Sequence, residues 1–342
     1  MKNGKRLLFI QDLFYTYSDK EHSLSITRII NILRLNGVNV CRNTVMEDIH
    51  TLQDAGMNIQ VYNNAYRLVE RTFEISEIQI IVSAIAAFKF LTIEKSKMLI
   101  EKVKDLCSKY EAENLQREFH ITNRVKTDNP QVMENINIIS KAIKEDKQFK
   151  FDYYDYDTEN NMVYNGTRQC SPWEMAISAE EYYAVTYYLK YPESPTNFRI
   201  DRMKNIRIVD CGRIKPPKEI DIGKYLKSSF CMFSGVEEYV TLRFPMENKM
   251  CNVVYDKFGH DTILYKYGEF FEIHVPIKTK QPKAFFSWLA LFEGEVQILK
   301  PLSLAEEFLK RMKHLVETIN DTIDEIEKNH RISSENNSVD TR

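Results

Sequence analysis

Two stretches of this chain carry side chains whose types and spacing suit molecular recognition. The first is CRNTVMEDIHTLQD, residues 41–54, in which Val45, Ile49 and Leu52 recur at the spacing of one helix face. The other side of such a helix would present Arg42, Asn43, Thr44, Met46 and His50. A helix of this kind fits the major groove of DNA, where arginine can recognise guanine and asparagine can recognise adenine.

The second stretch, residues 168–203, combines arginines with tyrosines. The guanidinium group is a planar fork that suits phosphate, and tyrosine rings can stack on bases. Residues 134–211 carry ten basic and thirteen acidic side chains, so an anion site here must be local, built from a few arginines. In an unbroken strand Arg199 and Arg202 point to opposite faces, and they share a pocket only if the strand bends after Asp201.

Both candidates have structural alternatives. The residue 41–54 helix could contact protein rather than DNA. Arg202 could pair with an acidic residue, and the tyrosines of the second stretch could form a core or an interface, at Tyr182, Tyr183, Tyr187 and Tyr188.

Motifs for catalysis are missing from the sequence. It has no phosphate-binding G-x-x-x-x-G-K-[ST] loop, no G-x-G-x-x-G and no G-x-S-x-G. None of the seven histidines lies at metal-ligand spacing from another histidine or a cysteine, and the six cysteines form no C-x-x-C pair. We therefore expect no enzyme activity, no cofactor, no metal site and free thiols.

Charge and hydropathy limit the class of protein further. The net charge of −2 over 342 residues excludes a protein that coats DNA. Residues 1–71, however, carry nine basic and seven acidic side chains, a small local excess of positive charge. No run of about 18 apolar residues is present, so we expect a cytoplasmic protein without a membrane segment.

Helical periodicity over residues 4–17, 25–36 and 42–54 predicts three short helices at the N-terminus. Two apolar runs on either side of Asn63 and Asn64 then predict a β-hairpin. This order predicts a winged helix-turn-helix over residues 1–71. The wing would contact DNA through Asn63, Asn64, Tyr66 and Arg67.

This region resembles the winged helix of DeoR-like bacterial transcription regulators. The matching positions are Thr44, Val45, Asp48, Ile49, Leu52 and Gly56 in the helix and its end, and Tyr66 and Leu68 in the wing. The sequence departs from the family pattern where two basic residues are replaced by Asn43 and Glu47. Because a carboxylate repels phosphate, Glu47 implies a different affinity or base preference.

The rest of the chain alternates helical and strand patterns. Residues 72–130 predict a linker of two or three helices with a break near Thr92, and residues 131–211 predict one helix followed by five strands, 148–155, 162–170, 181–189, 196–203 and 205–210. Residues 212–328 predict a βαββαβ ferredoxin-like unit with an added helix, and residues 329–342 a disordered tail. The fold class is therefore α+β with several domains.

Residues 131–211 resemble the WYL domain, a small Sm-like β-barrel with a helix before it. The resemblance rests on Arg168, Pro172, Tyr182-Tyr183-Ala184 and the run Phe198–Met203. It implies that the barrel binds a nucleotide-like or oligonucleotide effector. The equivalent pocket would be lined by Arg168, Tyr183, Arg199 and Arg202.

Residues 212–328 are similar to the C-terminal extension that often follows a WYL domain and contributes to dimerisation in relatives. The sequence thus predicts a homodimeric, ligand-responsive bacterial transcription regulator that binds double-stranded operator DNA. The alternative is an accessory protein of a defence or repair system that binds single-stranded nucleic acid and has no promoter function.

Overall fold

The structure, a computed structural model, describes residues 3–118, 126–217, 223, 225, 237–279 and 282–339. The chain divides into two compact units. The first comprises Met1–Ile136 with two short later segments, Glu180–Tyr182 and Ile200–Met203. The second comprises Asn137–Ala179, Tyr183–Arg199 and Lys204–Arg342.

The first unit begins with three helices and a hairpin, in the order that the periodicity predicts. The helices are α1 (Asn3–Tyr17), α2 (Ile26–Leu35) and α3 (Arg42–Asp54), and strands β1 (Ile59–Tyr62) and β2 (Ala65–Leu68) pair antiparallel. Asn63 and Asn64 connect the strands with φ of 49° and 59°, the left-handed conformation that a two-residue hairpin turn requires. The apolar faces of all these elements enclose one buried core.

Helices α4 (Ile75–Ala87), α5 (Ile93–Lys104) and α6 (Lys109–Glu118) follow in the same unit. The break predicted near Thr92 is present, because its hydroxyl accepts a hydrogen bond from the Lys95 amide and caps α5. Buried Ser108, just before α6, donates to buried Asp19, and the His22 ring stacks on the Tyr110 ring. These contacts join the start of α6 to the loop between α1 and α2.

Helix α7 (Val132–Lys144) is followed by five strands. They are β3 (Lys147–Tyr156), β4 (Met162–Ser178), β5 (Glu181–Tyr187), β6 (Thr196–Arg199) and β7 (Met203–Gly212). They form a sheet in the order β6-β5-β4-β3-β7. Among the described strands no pairing joins β6 to β7, which is the pairing that closure into the expected barrel would need. The five strands are thus present, and the barrel stays a prediction.

The strand predicted over residues 196–203 is wrong in one respect. It ends at Arg199, and Ile200–Arg202 form one turn of 3₁₀ helix before β7 begins. Buried Asn129 donates its side-chain amide to the carbonyls of Asp201 and Met203, at 2.7 and 3.0 Å. These bonds, together with a similar pair from Asn135, satisfy the carbonyl groups that a strand would have paired in the sheet.

The second unit ends in a four-stranded antiparallel sheet covered by helices. Strands β8 (Glu237–Pro245), β9 (Tyr265–Tyr267), β10 (Phe270–Lys278) and β11 (Gln297–Lys300) have the order β11-β8-β10-β9. Helix α8 (Asn248–Phe258) follows β8, and α9 (Lys283–Ala290) follows β10. Strand β10 lies between β8 and β9, as in a split βαβ unit.

The tail predicted to be disordered from residue 329 is helical as far as the structure describes it. Helix α10 runs from Leu302 to Val339, and residues 340–342 lie outside the described residues. The stretch contains neither glycine nor proline, so nothing in its backbone chemistry ends the helix at residue 328.

Candidate nucleic-acid and anion-binding surfaces

Helix α3 separates its side chains into two faces, as the sequence predicts. Val45, Ile49 and Leu52 are buried in the core of the first unit. Arg42 and Asn43, in the first turn, are exposed. The inner face therefore anchors the helix, and the outer face is open to a ligand.

An ion pair orients α3 against α1. Arg6 donates from Nε to Oδ2 of Asp48 at 2.6 Å and from Nη2 to Oδ1 at 3.0 Å. Both side chains are almost buried, with 13% and 11% of their area exposed. Two parallel charge-assisted bonds fix the direction as well as the distance of the pair. Asp48 therefore helps to hold the helix that carries Arg42.

The other predicted contacts of α3 differ in accessibility. His50 is exposed, and its Nδ1 lies 3.0 Å from Gln53 Oε1 on the same helix. Thr44 is half-buried and its hydroxyl lies 3.2 Å from the Cys41 sulfur at the start of the helix. Met46 is also half-buried, and packs against the core. Of the five, Arg42, Asn43 and His50 have the freest access to solvent.

In the wing, the position of Tyr66 contradicts its predicted contact with DNA. Tyr66 is buried, and its backbone exchanges two hydrogen bonds with Leu24, so its ring belongs to the core and does not face a ligand. Arg67 is half-buried: it donates to the Lys20 carbonyl at 2.8 Å, and its guanidinium group lies 4.2 Å from the centre of the Tyr62 ring. Asn64, at the exposed tip, keeps the access that the prediction requires.

Strand pairing brings Tyr183 and Arg199 together. Tyr183 on β5 is the direct antiparallel partner of Arg199 on β6, so their side chains project from the same face of the sheet. Both are half-buried. The next pair on that face is Val185 with Asn197. A planar cation and a phenol ring thus lie side by side.

Aromatic side chains continue from this face into the core beneath it. Tyr183 and Tyr187 pack against a buried cluster that contains Trp173 and Tyr225. The Trp173 and Tyr187 rings stack with 6.3 Å between their centres. The Tyr225 hydroxyl accepts a hydrogen bond from the Asn197 amide at 2.8 Å.

Sequence reasoning missed Trp173 and Tyr225, which are buried beneath this face, and left Tyr187 open between a core and a binding role. The alternation of apolar and aromatic residues along β4 could have identified Trp173. No sequence pattern marks Tyr225.

Arg168 lies apart from this pair. It precedes Trp173 by five residues on β4, roughly 16 Å of extended strand. Its guanidinium group donates to the Asn165 carbonyl at 2.7 Å. It also lies over Gly166, where an added Cβ would come within 2.7 Å of Nη1. These contacts are local to the start of β4.

Arg202 lies in the 3₁₀ turn after β6 and is half-buried. It belongs to the first compact unit, whereas Arg168, Tyr183 and Arg199 belong to the second. The strand ends at Arg199, two residues before the predicted bend after Asp201. Of the four predicted effector residues, Tyr183 and Arg199 are brought together by the pairing of β5 with β6.

Other kinds of site are not found in the described part of the chain. Within it, no three His, Cys, Asp or Glu side chains come together in a way that could hold a metal ion. No described helix has both the length and the apolar character needed to cross a membrane.

Comparison with protein families identifies a WYL domain at residues 134–208. This range includes Arg168, Tyr183, Arg199 and Arg202, and it covers β3 to β6 and most of β7. A search of curated proteins found no match.

Solved structures give low-scoring matches. One is proteasome accessory factor B/C (PafBC) of Arthrobacter aurescens, at 14% identity and a TM-score of 0.27, over 89% of this chain and 47% of that one. The chain thus spans about half the length of the PafBC chain. Another is a CRISPR Cas-related protein, at 14% identity and a TM-score of 0.36, over 73% of this chain and 72% of that one.

Proposed function

We propose that this protein is a ligand-responsive transcription regulator that binds operator DNA through α3 and an anionic, nucleotide-like effector through its WYL domain. The observation that carries the proposal is the combination, in one chain, of a WYL domain with an N-terminal helix whose inner face is buried and whose outer face presents Arg42 and Asn43.

The DNA-binding part follows from the geometry of α3. A recognition helix contacts base edges with the residues of its first turns, which here are exposed. Arg42 would contact a guanine or a phosphate, Asn43 an adenine or a phosphate, and His50 the adjacent backbone. Glu47 is exposed on the same helix and lowers the affinity for any phosphate near it. Binding therefore depends on a few contacts rather than on a broad basic surface.

The effector part follows from the Tyr183–Arg199 pair. Arg199 would hold a phosphate group with its two-pronged donor geometry. The ring of Tyr183, beside it on β5, would stack on a base. The effector shifts the equilibrium between DNA-binding states only by the difference of its affinities for those states.

A second candidate function draws on the same face of the sheet. Half-buried Tyr183 and Tyr187, near Arg199 and packed on the buried Trp173, would also suit the unpaired bases of a single strand. In this case the protein would be a single-stranded nucleic-acid-binding accessory protein of a defence or repair system, without promoter function.

Genome-wide DNA footprinting with the purified full-length protein tests the proposal. We expect a small set of protected duplex sites with a common sequence, each bound in preference to a single strand of the same sequence. Uniform weak protection, or a preference for the single strands, would contradict operator binding and favour the second candidate.

A further inference from the structure

The C-terminal helix α10 has a long portion that is exposed along its whole length. Its first turns are anchored, because Leu304 is buried and Phe308 packs against the core of the β8–β11 sheet. From Lys313 to His330 every residue is exposed. An exposed helix in water is marginally stable unless an apolar face is covered.

The exposed portion carries a regular apolar stripe. Its members follow one another at alternating steps of three and four residues: Leu309, Met312, Val316, Ile319, Ile323 and Ile326. Apart from half-buried Met312, each has between 47% and 56% of its surface exposed. A repeat of about 3.5 residues is that of a coiled-coil seam, which winds around a second helix with the same repeat.

Charge along the helix indicates the direction of that second helix. The first half of the stripe is flanked by basic residues, Lys310, Lys313 and Arg311, of which Arg311 pairs with Glu307 of its own helix. The second half is flanked by acidic residues, Glu317, Asp321, Asp324, Glu325 and Glu327. In a parallel pair of identical helices, each half would lie beside a half of the same sign. In an antiparallel pair, the basic half of each helix lies beside the acidic half of the other.

We propose that two copies of this chain associate through an antiparallel coiled coil formed by residues 309–327 of α10. The seam has its centre between Val316 and Ile319. Its layers place Leu309 against the partner's Ile326, Met312 against the partner's Ile323 and Val316 against the partner's Ile319. The proposal is independent of the function of the N-terminal helices, since it uses side chains of α10 alone.

Sedimentation equilibrium of the full-length chain tests the interface. We expect a dimer for the natural sequence, and an apparent dissociation constant at least about 100-fold higher for the Ile319→Asp/Ile323→Asp variant. The matched control is His314→Asp/Thr318→Asp, which adds two acidic residues to the side of the helix opposite the apolar stripe and leaves the dimer intact. A monomeric natural chain, or a dimer that survives the isoleucine substitutions, would overturn the proposal.

Charge reversal tests the direction. Lys313 and Glu327 occupy the same position of the seven-residue repeat, and in the antiparallel pair these positions lie on one side of the seam. Lys313→Glu weakens the dimer because it places acid beside acid, and Lys313→Glu combined with Glu327→Lys restores it. Because high salt screens these contacts, the difference between the single and double variants shrinks as salt is added. If the double variant dissociates as readily as Lys313→Glu, the antiparallel arrangement is wrong.

Discussion

The outer face of α3 and the Tyr183–Arg199 face are assembled in different ways. On α3, the candidate residues lie within nine positions of one helix, and the buried residues between them fix which way they point. Tyr183 and Arg199 are sixteen positions apart and meet only because β5 pairs with β6 in one register. A recognition surface on a helix is thus set by local periodicity, and one on a sheet by pairing between distant segments.

The strongest test of this contrast is removal of the ion pair that supports α3. Asp48→Ala leaves the Arg6 guanidinium almost buried without its acceptor, and we expect a loss of about 2 kcal/mol in the local stability of α1 and α3. Hydrogen–deuterium exchange of the amides of these helices measures this loss.

The matched control is the pair Lys20–Glu74, in which both side chains are more than half exposed. Breaking it with Lys20→Ala should cost less than about 1 kcal/mol. Equal effects of the two substitutions would show that Asp48 does not hold α3.

Arg42→Ala separates the two surfaces by function. Loss of one base or phosphate contact should weaken binding to the protected operator by about 1–3 kcal/mol, or at least roughly fivefold, in a gel-shift titration. Arg199→Ala should leave operator affinity unchanged and remove the response to the effector.

Arg207→Ala serves as the control for both arginines, because Arg207 is exposed on β7 and lies outside both surfaces. If Arg42→Ala and Arg207→Ala bind the operator equally well, α3 is not the recognition helix.

Gly166→Ala tests the left-handed backbone conformation near the start of β4, over which the Arg168 guanidinium group lies. Gly166 has a φ of +97°, and the added Cβ would come within 2.7 Å of Arg168 Nη1. We expect a loss of about 1 kcal/mol in the stability of β4, seen as faster amide exchange in β3 and β4.

Gly212→Ala is the control, since nothing lies within 4 Å of its Cβ position and its φ is not in the left-handed region. Unchanged exchange in Gly166→Ala would show that the backbone conformation of Gly166 does not contribute to the stability of β4.

The same contrast explains which parts of the structure could be predicted from the sequence. The helix periodicity located α1, α2 and α3, and the Asn63-Asn64 pair located the turn of the wing. The burial of Tyr66 was not visible in the sequence, because it depends on the backbone pairing of β2 with Leu24.

The turn at Ile200–Arg202 was missed for a related reason. The run Phe198–Met203 alternates like a strand, but Asn129 and Asn135, more than sixty residues earlier in the chain, bind the carbonyls of its second half. Side chains so distant in sequence leave no local pattern. For the same reason, Tyr225 could not be assigned to the buried aromatic cluster beneath Tyr183.

The smallest expected effect concerns the start of α3. The hydrogen bond between the Cys41 thiol and the Thr44 hydroxyl lowers the pKa of Cys41, whereas burial raises the pKa of Cys107 to about 11 and that of Cys170 to about 12. Because the thiolate is the nucleophile, Cys41 should react with iodoacetamide at neutral pH while Cys107 and Cys170 stay unmodified in the folded protein.

Thr44→Val removes the hydroxyl and should raise the pKa of Cys41 towards its ordinary value. Less thiolate is then present at neutral pH, so alkylation of Cys41 slows, and the rates of the two proteins converge as the pH rises above both pKa values. Peptide mass spectrometry at a series of pH values measures the rate for each cysteine. Identical pH profiles for Thr44→Val and the natural sequence would show that the first turn of α3 does not control this thiol, and that the close contact between Cys41 and Thr44 has no chemical consequence.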